Sequence, residues 1–283
     1  MNKQQLLLII AGLATIAGLY FFGPTIAPTK KPATAAADSS HNHAFDIAEY
    51  EQQAIAKLDQ ERQRYLTGIR ESVKRGDVKD QAIHANHQLA RFWKDSVPNP
   101  ILHFNYTAKA AELDNNEKTL TFAAHSILGY LPFAQSHEEQ SWLAGEGKAL
   151  FEKALTLNPA NDSSIVGAGA CIMYGAEPGS DGTMAGIMKV REVATRDSNN
   201  LFAQYMLGVG GMVSKQYDKA AIRFEKVVKA QPDNLEALFK LAEANELLGN
   251  NEKAISWYQL IIGKVSDTQM KEAIEKRIIE LKK

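Results

Sequence analysis

Cysteine is almost missing: Cys171 stands alone in 283 residues. One thiol excludes an internal disulfide and any cysteine-rich zinc site. Charge of one sign is missing too, since 32 Lys and Arg face 33 Asp and Glu for a net charge of −1. No global field gathers phosphates, so a nucleic-acid partner is not expected. Nine prolines and 19 glycines are few for the length, and with abundant Ala, Leu, Lys and Glu they point to helix. A phosphate-binding glycine loop is absent as well, because Gly167-Ala168-Gly169 and Gly208-Val209-Gly210-Gly211 sit inside helical patterns with no strand before them. His84 and His87 lie three apart but lack a third ligand at matching spacing. His41 and His43 have no further partner either. Cys171 lies in an apolar helical pattern with no activating His or Lys beside it, and reads as core packing. No serine stands in a nucleophile elbow. The residues give no enzyme, no cofactor and no metal.

What the chain does have begins at Leu6. Residues 6–22 are uncharged and almost wholly apolar, about 26 Å of helix and just enough for a bilayer core. A cleaved signal peptide would need a small-residue site soon afterwards, and the nearest, Thr25-Ile26-Ala27, runs into Pro28. An uncleaved anchor behind a five-residue tail, 1–5, is therefore the expectation. Flanking Lys3 against Lys30 and Lys31 decides orientation poorly, but the short tail favours a body outside the cytoplasm, periplasmic in a bacterial envelope. Residues 23–45, rich in Pro, Ala, Thr and Ser, read as a flexible tether.

The body repeats itself. Residues 201–234 and 235–268 align at an offset of thirty-four: Ala203 with Ala237, Leu207 with Leu241, Gly208 with Ala242, Ala220 with Ala254, Phe224 with Tyr258 and Val227 with Ile261. Within each unit the apolar positions fall on two helical stretches broken at Lys215-Gln216 or at Gly249-Asn250-Asn251. Fainter copies precede them, at 117–161 with Leu128-Gly129 and Phe151, and at 162–200 with Gly167 and Val190. Gly208 to Phe224 is sixteen positions, Gly129 to Phe151 twenty-two and Gly167 to Val190 twenty-three. The extra residues are expected in the turns between helices, around Ser136 to Ser141 and Gly175 to Gly182. Residues 46–116 hold lead-in helices and a degenerate repeat, with one long amphipathic stretch from Asp46 to Lys74. Residues 269–283 read as a capping helix.

With its Leu207-Gly208 pair, Tyr217, Ala220, Phe224 and closing Pro232-Asp233-Asn234, the repeat resembles the tetratricopeptide repeat family. The resemblance implies an all-α fold, a right-handed α-solenoid of helix pairs ending in a capping helix, and a concave face for partner peptides. Carried over along the first helix of each pair, the inward residues are Ser126, Tyr130 and Phe133, then Ser164 and Ala168, then Tyr205, Val209 and Met212, then Phe239, Glu243 and Glu246. The partner-binding set is Tyr130, Phe133, Tyr205, Val209, Met212, Phe239, Glu243 and Glu246. This lining is apolar and aromatic and turns acidic toward the carboxyl end, without the Lys, Arg and Asn with which family members clamp a carboxylate tail. An amphipathic or apolar protein segment is thus the expected ligand; the competing reading has these side chains packed against neighbouring repeats or covered by the N-terminal helix. The functional expectation is a membrane-tethered, non-catalytic adaptor, by fold analogy in protein export or envelope assembly. The rival is a self-assembling homo-oligomer, built through the groove or through the small-residue face at Ala14 and Gly18.

Overall fold

The computed structural model describes residues 45–75, 79–177 and 180–283, with backbone alone for residues 73–75. Asparagine side chains set five of its helix starts. Asn99, Asn116, Asn161, Asn200 and Asn234 each leave the helix in extended backbone, and each side chain accepts a first-turn amide hydrogen bond, 2.9 to 3.1 Å long. These caps satisfy donors that a helix cannot satisfy internally. Thirteen α-helices result among the described residues: α1 Ile47–Ala56, α2 Gln60–Arg75, α3 Lys79–Arg91, α4 Pro100–Asp114, α5 Glu117–Tyr130, α6 His137–Leu157, α7 Asp162–Gly175, α8 Asp181–Arg196, α9 Leu201–Val213, α10 Tyr217–Ala230, α11 Leu235–Leu247, α12 Asn251–Lys264 and α13 Thr268–Leu281. A π-turn, Phe92–Ser96, follows α3, and a 3-10 turn, Leu131–Phe133, follows α5.

From α3 onward the helices pair and stack: α3 with α4, α5 with α6, α7 with α8, α9 with α10 and α11 with α12, each pair also packing on the next. This is the all-α solenoid expected from the repeat, and α13 closes it, burying Ile274 and Ile278. Between pairs the same short turn recurs, Asn158 to Asn161, Asp197 to Asn200 and Gln231 to Asn234, the last amide of each bonding the first carbonyl at 3.1 to 3.2 Å. Within the last two pairs the turn holds a left-handed residue, Lys215 and Gly249 occupying corresponding places with φ of 57° and 75°.

Two hydrophobic clusters fill the interior. The smaller holds Leu66, Leu89, Phe92, Trp93, Leu102 and Tyr106, with Tyr50 and Ile47 packed against it. The larger runs through every helix from α4 to α13. Helix α4 serves both: Leu102 and Tyr106 face the first, Phe104, Ala108 and Ala111 the second.

Four expectations need correcting. The amphipathic stretch from Asp46 to Lys74 is two helices, because the Asp59 carboxylate accepts from the Arg62 amide at 2.9 Å and starts a new one. The extra residues of the unit at 117–161 lie mainly in a helix rather than a turn: α6 has 21 residues where α10 has 14. Ser136 caps α6 by accepting from the Glu139 amide at 3.1 Å, and the Glu139 carboxylate in turn accepts from the Gln135 amide, so a helix cap stands where a loop is expected. The repeat register of the two middle units also moves. Counting from the capping asparagines, the small residue matching Gly208 and Ala242 is Gly169, not Gly167, and Ala124, not Gly129. Packing agrees, since a Cβ at Gly169 would meet Val190 of its own pair as one at Gly208 would meet Phe224, whereas one at Gly167 would overlap Phe151 of the preceding pair.

The single-pass membrane localisation is the fourth correction. Among the described residues no helix is long and apolar enough to cross a membrane. The span at 6–22, the tether at 23–44, the Ala14 and Gly18 face, His41 and His43 lie outside the described residues.

Candidate partner-binding groove

The first helices of successive pairs, α5, α7, α9 and α11, form the face on which the expected groove residues lie. On helix α7, Gly167, Ala168, Gly169 and Ala170 are all buried, with Gly167 against Phe151 and Gly169 against Val190 and Gly186. Larger residues on either side reach across. The His125 ring of α5 stands 5.4 Å, centroid to centroid, from Phe202 of α9, and edge-on to Phe151 at 4.9 Å. Beside this contact opens a cavity of about 330 Å³. The end of α5 contributes His125, Leu128 and Gly129, and the 3-10 turn after it Pro132; α7 contributes Tyr174; α9 contributes Phe202 and Tyr205; and Glu236 of α11 stands at its edge.

The polar atoms of this cavity are held in place. Tyr205 donates its hydroxyl to Glu236 Oε1 at 2.6 Å. Burial, and then that carboxylate, push the Tyr205 pKa far up, so the phenol stays protonated. Burial with Glu236 nearby likewise pushes Tyr174 up to about 12. His125 Nε2 lies 2.7 Å from Ser163 Oγ, and burial pulls the imidazole below its ordinary value, favouring the neutral ring. Neither Lys nor Arg lines the cavity.

Residues 212–267 match the tetratricopeptide repeat family. No curated protein sequence matches the chain. Among solved structures the chain is similar to PilW, a widely conserved type IV pilus biogenesis factor, at 14% identity and a TM-score of 0.48 over 82% of this chain and 99% of that one. It is similar to YrrB, a tetratricopeptide protein with an unusual peptide-binding site, at 18% identity and 0.41 over 71% and 98%. MamA from Desulfovibrio magneticus RS-1 follows at 15% identity and 0.42 over 64% and 94%.

In tetratricopeptide register the eight expected groove residues separate. Only Tyr205 lines the cavity. Val209 is buried in the core at 6% exposure and presents no surface to a ligand. Met212 and Phe239 are half-buried against the same core. Tyr130 packs on Phe104 with ring centroids 5.3 Å apart and donates to Glu139 at 3.3 Å. Phe133, in the 3-10 turn, is 67% exposed. Glu243 is paired with Lys240 at 2.9 Å. Glu246 is engaged by Arg277 of α13, which donates from both Nε and Nη2, and by the Tyr258 hydroxyl at 3.1 Å; these bonds hold its carboxyl below the usual range. His125, Tyr174, Phe202 and Glu236 are the cavity residues that sequence reasoning passes over. The asparagine caps mark two of them, since Phe202 and Glu236 both stand two residues after a cap; His125 and Tyr174 stand nine and thirteen residues after theirs and share no repeat position.

A second cleft, of about 790 Å³, lies on the second helices between α2, α4 and α6, with Arg70, Tyr106, Lys109 and Lys153 on its walls. Its charges are internally engaged: Arg70 pairs with Glu51, which also accepts from Tyr106, and Lys153 donates to the Glu112 carbonyl at 3.1 Å. Burial, then Glu51, raises Tyr106 to about 12. Cys171 is buried in the core and its thiol is pushed up to about 12, which leaves it inert.

Proposed function

We propose that the chain is a non-catalytic scaffold that holds a segment of a partner protein along the face formed by α5, α7, α9 and α11. The observation that carries this is the cavity beside the His125 and Phe202 contact, walled by the rings of His125, Tyr174, Phe202 and Tyr205. Such a concavity, walled by rings with few and fixed polar atoms, suits capture of a side chain from an extended or helical segment. The specific setting, export or envelope assembly, stays an expectation of the resemblance.

A photo-crosslinking residue at Gly129, which is exposed on the cavity wall, tests the reading against one at Ile222, 66% exposed on α10. Partner adducts identified by mass spectrometry should arise from position 129 and not from 222. Adducts from 222 alone would remove the groove from the function.

A further inference from the structure

We propose that the cavity receives a cationic side chain, lysine or arginine, presented by the partner segment. This rests on the scaffold reading and narrows it. Four rings, of His125, Tyr174, Phe202 and Tyr205, line one space together with a single carboxylate, Glu236. Aromatic faces attract cations through their quadrupole, and the attraction grows as the cation loses water. The carboxylate is held ready by the 2.6 Å bond from Tyr205. Its neighbours along the groove already have cations, Glu243 with Lys240 and Glu246 with Arg277. Among the described residues Glu236 has no ion-pair partner within 4.0 Å, and no Lys or Arg reaches the cavity.

Other ligand chemistries fit worse. An anion would face Glu236 with no cation to compensate it. A wholly apolar side chain would cover the Tyr205 and Glu236 pair and strip its water without replacing it, which costs free energy. A lysine or arginine stem lies against Leu128, Met206 and the rings while its head meets the carboxylate.

Selection of a random heptapeptide library displayed on phage against the full chain tests this, with binding of the selected peptides measured by fluorescence anisotropy. The expected consensus has Lys or Arg at one fixed position. Replacing that residue by norleucine should weaken binding about ten-fold. Glu236→Gln should weaken the lysine peptide by a similar factor and leave the norleucine peptide unchanged. Gly129→Trp, which fills a wall position with nothing within 4 Å of its added Cβ, should block both peptides. A consensus without a cation, or equal binding of the norleucine peptide, overturns the cation chemistry while the groove stands. Peptides indifferent to Gly129→Trp, or no selected peptide at all, overturn the scaffold reading itself.

Discussion

His125 shows how a single side chain links the groove to stability. Its ring is enclosed by Phe151 and Phe202 and faces Ser163, with Tyr174, Tyr205 and Glu236 in the same cavity. Burial lowers its pKa from the ordinary 6.5. The unfolded chain therefore takes up a proton as pH falls through about 6.5, while the folded chain resists. The contribution to stability is complete above that value and is lost progressively below it. His125→Gln should flatten the decline of the urea midpoint between about pH 7.5 and pH 5.5. An unchanged slope would show that other groups carry the acid sensitivity.

At the scale of elements, α7 and α8 cross through two facing glycines. A Cβ at Gly186 would come within 2.8 Å of the Gly169 carbonyl oxygen, Met173 Cγ and the Met173 amide. Two of those three atoms are backbone and cannot turn aside. Gly186→Ala should therefore cost about 1–3 kcal/mol, despite the better helix propensity of alanine. Gly145, exposed on α6 with nothing within 4 Å, is the control. Gly145→Ala should gain about 0.5–1 kcal/mol. Chemical melting of both variants checks the contrast, and a stabilising Gly186→Ala would mean the crossing is looser than its geometry indicates.

This is also the scale at which the sequence is most and least readable. Helix pairing is legible because the offset of thirty-four places large and small residues opposite each other twice in succession, as with Phe224 and Gly208. In the middle pairs glycine misleads. Gly129 is open on the cavity wall and Gly167 yields to a ring from another pair, so neither marks the crossing that Gly208 marks. Reading register from them places the equivalents of Tyr205 at Ser126 and Ser164, whereas the caps place them at Thr121 and Val166. The asparagine caps fix the register because their role is local and does not depend on what packs opposite, but His125 and Tyr174 stand nine and thirteen residues after their caps and match neither Phe202 nor Tyr205. The added length of α6 hides for a similar reason: Ser136 and Glu139 look like loop composition until their capping role is recognised.

For the whole molecule, stability is nearly a sum of neighbour terms along a line. Helix α13 ends that line, with Ile274 and Ile278 buried at 5% and 7% exposure and Arg277 joined to Glu246 of α11. Ile278→Ala should cost about 2 kcal/mol. The loss should stay local: amide hydrogen exchange should quicken in α11 and α12 and hold steady in α3 and α4. Uniform acceleration across the chain would instead make the stack one cooperative block.

The division of labour on α4 has a consequence for synthesis. The smaller cluster draws only on residues up to Tyr106, so it is complete while the rest of the chain is still being translated, and a domain can close as soon as its own residues have emerged. Phe104, Ala108 and Ala111, on the outer side of the same helix, then await α5 as a ready-made template. Each later hairpin meets a finished surface on its way out, and the nascent chain grows by accretion from its amino end rather than by a search of the whole.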